Sequence, residues 1–501
     1  TSKPFRFAAR TWELSRRKSV AAHDSSGANL IVQVKNNQVM RVVPLENEDV
    51  NECWIADRER FSYEALNGSD RLTRPMLKQG GEWKEVDWQT ALEYVANGLR
   101  NIQRDHGANS IGALVSPHST VEELYLAGAL MRGLGSDNID HRLRHAEFGA
   151  AEGVRTLGTS IASLSTLQRV LVVGSNLRKD HPLFALRVRH AVRHGAQLNV
   201  ITDPAAFSHA DAWAMPAANV VVTDAFAWAQ TLADLAVAIA AEKGVEAPCA
   251  GTASASAQAM AKSLLGGERK ALLLGNAAAH HGNASTLLAL ANWIGAQTGA
   301  SVGYLTEAAN TVGAQWVGAQ PQTGGKHAGQ MLAGGLKAAV LLNTEPEFDS
   351  AAGAAAAKAL GQAEMVVTLS PFKANMAFSD VLLPIAPFTE TSGSFVNAEG
   401  RLQSFHAVVK PLAETRPAWK VLRVLANLLE IPGVAFETSQ DVLARATAQP
   451  LAASNATRSA INLTGTTTPA PAVASIYQLD GIVRRAPSLQ LTADARQEVT
   501  P

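Results

Sequence analysis

From Asp87 to Gln103, the apolar residues of DWQTALEYVANGLRNIQ recur at intervals of three and four behind an aspartate. That pattern predicts an amphipathic helix with an Asp N-cap. Beyond it the rhythm changes to short, wholly apolar runs separated by longer Ala-rich stretches. The runs IGALVS, RVLVVGSN, QLNVITD, KALLLGN, AAVLLNTEP and MVVTLSP read as strands buried on both faces. Strands of this kind alternating with helices predict an α/β body, doubly wound around mostly parallel sheets. Upstream, NLIVQVKNNQVMRVVPL alternates as two strands, and Asn36–Asn37 between them tolerates the positive φ of a tight hairpin turn. Gly27 marks a tight backbone position just before the first of them. Downstream, RPAWKVLRVLANLLEI is again amphipathic. QPLAASNATRSAINLTGTTTPAPAVASIYQLD then reads as a surface-hugging or mobile tail. Apolar anchors return in IYQLDGIVRRAPSLQLTADAR, which is expected to dock on the body or on a partner. The expected divisions are a small β-rich domain over residues 1–66, the α/β body over 67–411, and a helix with an extended tail over 412–501.

Several predicted strands end in Gly-Asn, Asn-Thr or Asp-Pro. In open α/β sheets, ligands sit beyond the carboxyl ends of the strands. Gly174, Ser175, Asn176, Gly275, Asn276, Asn343 and Thr344 are therefore expected to line one crevice, unless they only turn the chain from strand to helix. Neither the dinucleotide-binding glycine fingerprint nor a P-loop follows any strand, and no nucleophile elbow is present.

Lys+Arg and Asp+Glu are equal at 44 each, so no basic excess points to nucleic acid. No apolar run is long enough to cross a membrane, and Thr1–Arg10 does not resemble a secretory signal. Two cysteines, Cys53 and Cys249, cannot form a disulfide framework and suit a reducing compartment. Residue 1 is not Met, so the chain is expected to be processed or cut from a longer one. His280–His281 reads as a polar loop rather than a metal site.

The words RTWELSRRKSV, HDSSGANL, VMRVVPLENEDVNE, WIADRERFSYEAL, DRLTRPM and PIAPFTETSGSFVNAEGRLQSF carry a resemblance covering roughly Thr1 to Asn427. The chain resembles the molybdopterin oxidoreductase family. Within it, the branch these words resemble is the 75 kDa iron–sulfur subunit of respiratory NADH:quinone oxidoreductase, complex I.

In cofactor-bearing members the opening domain holds a 4Fe-4S cluster on four cysteines. The resemblance places those positions at Ala21, Asp24, Ala28 and Cys53, so three of four thiolates are missing and no metal is expected there. Cys53 is expected to be a partly buried small residue. The molybdenum-ligand region falls near HAEFGAAEGVRTLG, which offers His145, Glu147 and Glu152 on an expected solvated helix edge. The pterin-contacting loops survive as vestigial candidates: Gly174, Asn176 and His181, with Asp180 beside them, and Asn397, Glu399, Gly400 and Arg401. They imply either a structural wedge or residual nucleotide binding.

The resemblance implies no catalytic residue and no cofactor in this chain. The 2Fe-2S and 4Fe-4S clusters would lie in an N-terminal region of the parent subunit. The chain would serve as scaffold in the peripheral arm of a translocase that passes electrons from NADH to quinone. Expected partners are other hydrophilic-arm subunits, including the flavin-bearing one, on the cytoplasmic side of the membrane, with no direct insertion and no nucleic acid. The alternative is a molybdopterin-binding oxidoreductase with a residual bis-MGD site. Expected contact surfaces are Phe5, Arg6, Phe7, Arg10 and Trp12, and the tail from Ile476 to Leu491.

Overall fold

The computed structural model describes residues 2–149, 152–206, 215–464 and 469–496. The chain opens with an antiparallel sheet of three strands, β1 (Ser15–Val20), β2 (Asn29–Lys35) and β3 (Gln38–Pro44). Asn36 and Asn37 turn β2 into β3 at φ of 51° and 60°, as their short polar side chains allow. Alternate residues Leu30 and Val32 of β2, with Val39 and Val42 of β3 on either side of a register shift, fill a small core with Ala21 and Ala28.

A hairpin, β4 (Met76–Gln79) and β5 (Glu82–Glu85), leads into helix α1 (Trp88–His106), whose Asp87 cap accepts from the Thr90 amide at 2.8 Å. Strand β6 (Ile111–Val115), helix α2 (Val121–Gly133) and strand β7 (Ile139–Asp140) begin a seven-stranded sheet. The chain then leaves to build a five-stranded parallel sheet from β8 (Arg169–Val173), β9 (Gln197–Thr202), β10 (Asn219–Val222), β11 (Lys270–Leu274) and β12 (Ser301–Tyr304). Helices α3 (Pro182–Arg193), α4 (Trp228–Lys243) and α5 (Ala284–Thr298) cover it. The chain returns with β13 (Ala338–Leu342), β14 (Met365–Ser370) and β15 (Val381–Pro384), which complete the first sheet in the order β5-β4-β15-β14-β13-β6-β7. A two-stranded ribbon, β16 (Gly393–Val396) and β17 (Leu402–Phe405), and helix α6 (Ala418–Leu428) follow.

The fold is thus α/β with mostly parallel sheets and a small antiparallel β domain in front. All six apolar runs are central strands: β6, β13 and β14 in one sheet, β8, β9 and β11 in the other. Among the described residues no helix is long and apolar enough to cross a membrane.

Candidate functional site

In an open parallel sheet, the place for a ligand is outside the carboxyl ends of the two strands where the chain order reverses. Two sheets give two such points, so the residues expected in one crevice divide between them. In the seven-stranded sheet the reversal lies between β6 and β13. Ser116, Pro117 and His118 follow β6, and Asn343, Thr344 and Glu345 follow β13. In the five-stranded sheet it lies between β8 and β11, with Gly174, Ser175 and Asn176 after one and Gly275 and Asn276 after the other.

The first reversal point is occupied by the chain's own C-terminal segment. Asp480, Gly481 and Ile482 stand beside His118, Asn343, Thr344 and Glu345, leaving a cavity of only about 60 Å³. The buried Asp480 carboxylate pairs with His23 Nδ1 at 2.7 Å, and His23 Nε2 meets Ser62 Oγ at 2.7 Å. Burial alone would lower the His23 pKa, but the Asp480 charge overrides it and the imidazole lies above its ordinary value. Burial likewise opposes ionisation of Asp480, yet His23 holds that carboxyl far below the usual range. Further along the turn, Arg484 bonds Asp349 at 2.7 Å and Arg485 grips Glu345 with contacts of 2.6 and 3.1 Å. Ser488 closes the far end on Glu64, donating from its hydroxyl at 2.7 Å and its amide at 2.8 Å. The apolar anchors Ile476, Tyr477, Val483, Ala486 and Leu489 are buried within this chain. They are therefore not an open partner surface, contrary to one expectation above.

The four cluster positions do not face one another as ligands. Ala21 and Ala28 are fully buried in the small core and joined by a backbone bond of 2.9 Å. Asp24 accepts from the Ser26 amide at 2.9 Å and from Arg58 at 2.7 Å. Burial pushes the Asp24 carboxyl up, but the Arg58 guanidinium outweighs it and holds the group ionised. Arg58 also donates to the Asp180 carbonyl at 2.8 Å, which ties the small domain to the body. Next to it, Glu59 is buried with neither oxygen hydrogen-bonded, and desolvation together with the Asp24 charge pushes it up to about 8. Cys53 is exposed, not partly buried as expected. The turn closed by the Asn47–Glu52 bridge, with Glu52 at φ 49°, turns Cys53 and Trp54 outward. One solvent-facing thiol, two core methyls and an ion-paired carboxylate do not fit a cubane, which needs thiolates aimed at a common centre.

The loops expected as pterin contacts make hydrogen bonds within the protein. Asn397 donates to the Ser26 carbonyl at 3.2 Å and accepts the Arg401 amide at 2.9 Å. Glu399 accepts the Ile161 amide at 2.7 Å and pairs with Arg401 at 2.8 Å, and Arg401 reaches Asp49 at 3.3 Å. Gly400, at φ 93°, makes the turn that permits this. In the other loop, Asn176 caps the Lys179 amide at 3.3 Å and donates to the Ala206 carbonyl at 3.0 Å. His181 stacks on Phe184, and burial, then the nearby Arg58 charge, lowers it to about 4. Desolvation raises Asp180 to about 6 against its bonds from Ser175 and Asn176. Gly174 packs under the fully buried Trp228, whose ring lies 2.7 Å from where a Cβ would stand. The space beside Gly174 is thus taken by Trp228, and the Asn176 side chain is engaged by the chain itself.

Away from the second reversal point, between the residues that follow β7 and those that follow β12, a cavity of about 140 Å³ remains, lined by His141, Arg144, His145, Asn276, His280 and Glu307 among others. His141 and His280 give their Nδ1 to the Ala319 and Ala472 carbonyls at 3.0 and 2.7 Å. Burial keeps all three imidazoles neutral, lowering His141 to about 4, with the neighbouring His280 adding to the effect at His145. Arg144 pairs with Glu307 at 2.8 Å. The Thr306 Oγ1 atom is buried without a hydrogen-bond partner, and Asn276 stands beside the His181 ring. His145 and Glu147 lie in irregular chain rather than on a helix edge, and Glu147 accepts from the Ser285 amide and hydroxyl. Residues 150 and 151 of that stretch lie outside the described residues. His280 and His281, expected in a polar loop, are both buried. Among the described residues no group of three or more His, Cys, Asp or Glu is arranged to hold a metal ion.

Comparison with known proteins agrees with this architecture. Residues 71–428 match the molybdopterin oxidoreductase family, and the chain belongs to that family. Residues 14–64 match the NADH-ubiquinone oxidoreductase NDSU1/NuoG-like 4Fe-4S domain. Within the family, the chain is similar to the NADH-ubiquinone oxidoreductase 75 kDa subunit of Reclinomonas americana, 25% identical over 475 residues, which cover 87% of this chain and 61% of the relative. It is 26% identical over 444 residues to the mitochondrial NADH-ubiquinone oxidoreductase 78 kDa subunit of Neurospora crassa, covering 86% of this chain and 54% of that one. The chain thus spans between 54% and 61% of the length of these two relatives. Acetylene hydratase from Pelobacter acetylenicus shares the fold, with a TM-score of 0.60 at 15% identity over 86% of this chain and 72% of that one.

Proposed function

We propose that this chain is a non-catalytic scaffold portion of the 75 kDa-type subunit of complex I, placed in the peripheral arm on the cytoplasmic side of the membrane. It supports electron transfer from NADH to quinone by holding neighbouring hydrophilic-arm subunits, the flavin-bearing one included. The 2Fe-2S and 4Fe-4S clusters belong to the parent's N-terminal region. The observation that carries this reading is the Asp24–Arg58 ion pair at 2.7 Å, which stands where cluster ligands would converge in a NuoG-like domain. Shielding from solvent is the physical contribution of such a body, because burial and dielectric tune a cluster's potential. On this reading the small domain ends near residue 66 and the body near residue 411. Arg6, Phe7, Arg10 and Trp12 form the contact surface, with Phe7 97% and Trp12 81% exposed, while Phe5 is buried beneath Arg41.

The buried, unpartnered Thr306 hydroxyl in the remaining cavity favours the second reading, a molybdopterin-binding oxidoreductase with a residual site. Elemental analysis for iron and molybdenum on chain prepared without oxygen, with a pterin fluorescence assay, separates the two. The scaffold reading expects none of the three; stoichiometric molybdenum with pterin overturns it.

A further inference from the structure

We propose that residues 476–490 are a built-in ligand, a cationic peptide that this chain binds at the reversal point of its seven-stranded sheet, and that latches the small β domain to the body. Location is the first argument. The segment lies where an open α/β sheet receives its ligand, between the residues following β6 and those following β13.

Charge is the second. The receiving surface presents Glu345 and Asp349, both buried, and Glu64 beyond them. Such a surface repels the pyrophosphate of a nucleotide and selects paired guanidinium groups. Arg484 and Arg485 supply these, each also lying over an aromatic ring, Phe348 at 5.2 Å and Phe372 at 4.6 Å. Opposite polarity sits at the other end, where Asp480 of the segment enters between His23 and His118 at 2.7 and 3.9 Å. The complementarity is thus two-signed and fixes the direction in which the segment lies.

Connection is the third. His23, Ser62 and Glu64 belong to the small domain, whereas Glu345 and Asp349 belong to the end of the large sheet. The segment reaches both sets, with Ser62 held through His23. An adjacent lining of Phe372, Phe388 and Phe395 gives the entering turn an apolar wall. The Gly481 position is close against the Glu345 carboxylate, so a larger side chain there would push on the group that grips Arg485.

The experiment starts from the full chain, so folding is not in question. A specific protease site is inserted between the exposed Pro469 and Ala470, the folded protein is cleaved, and gel filtration at about 0.15 M salt follows the C-terminal piece. The piece is expected to co-elute with the body. A labelled synthetic peptide of residues Ser475–Thr492 is expected to exchange for it. In the doubly reversed chain, Arg484→Glu with Arg485→Glu, the cleaved piece is expected to leave, and a peptide carrying both changes to bind the unmodified body at least about tenfold more weakly. Adding Glu345→Arg to the reversed chain is expected to restore retention. Immediate loss of the piece from the unmodified chain overturns the proposal, as does unchanged retention in the double reversal. Molybdenum found in the protein would overturn the scaffold reading and leave these results standing. Loss of the piece would overturn the latch and leave the metal analysis standing.

Discussion

Two places at the carboxyl ends of the sheets stand in opposite states. At the end of the seven-stranded sheet Asp480, Arg484 and Arg485 each have a partner of opposite sign within 4 Å, and little empty volume is left. Between the ends of β7 and β12 a cavity of about 140 Å³ survives, and the buried Thr306 hydroxyl that lines it bonds nothing. One place has been rebuilt around a peptide; the other keeps a hydroxyl that no segment among the described residues has claimed. A buried polar group stabilises only when its partner is present, so identical chemical changes should have opposite sizes at the two places.

The largest effect is expected from Arg484→Met. Removing that guanidinium leaves Asp349 and Glu345 buried together with less compensation, and chemical denaturation should show a loss of about 3 kcal/mol. A loss below about 1 kcal/mol would mean that the plugged point is no better paired than the open place.

Asp480→Asn should cost about 2 kcal/mol near neutral pH. The sign with pH follows from both partners. Asp480 is depressed in the fold, so its contribution is present above the ordinary carboxyl range and lost only in strong acid. His23 is raised, so its contribution is complete below 6.5 and lost as pH rises through its higher folded value. Urea midpoints across pH should fall on the alkaline side of 6.5 in the native chain and stay flat there in the variant.

Glu59→Gln should gain about 1–2 kcal/mol at pH 8 and nothing at pH 4. The Glu59 carboxyl, raised from 4.5 to about 8, weakens the native fold progressively as pH climbs between those values. Thermal unfolding at the two pH values checks this, and a loss at pH 8 would show that the ionised carboxylate supports its neighbours.

The smallest effect belongs to the open place. Thr306→Val removes a buried hydroxyl that bonds nothing and should stay within about 0.5 kcal/mol of the native chain. A loss above about 1 kcal/mol would reveal an occupant of the cavity and erase the contrast.

The six central strands were legible because a strand buried on both faces must be apolar throughout. The edge strand β10 was not read although its three valines suit a strand, because it, β12 and β15 have only four residues each, too few to carry a period. The small sheet's hairpin was legible through Asn36–Asn37, whose positive φ values suit the residue type. The loss of thiolates at Ala21, Asp24 and Ala28 could be read, but not what replaced them, because Asp24 meets Arg58 across 34 residues. The exposure of Cys53 was misread: nothing in the residue type announces the turn at Glu52. Nor did the tail announce its seat. Arg484 and Arg485 look like a basic surface until Asp349 and Glu345 are brought to them from 135 and 140 residues away.

From the remaining cavity to the plugged reversal point the charges form an alternating file. It runs Glu307, Arg144, Asp349, Arg484, Glu345 and Arg485, with neighbours in contact, three carboxylates and three guanidiniums, before Arg485 meets the exposed Asp70 at 3.8 Å. Such a file has parity. Deleting an adjacent acid and base leaves it neutral, whereas deleting one member leaves a lone charge in a medium that cannot solvate it. Substitutions along it should therefore be tolerated in twos and rejected singly, and drift in this part of the sequence should proceed by paired steps, with the open cavity and the closed one changing together.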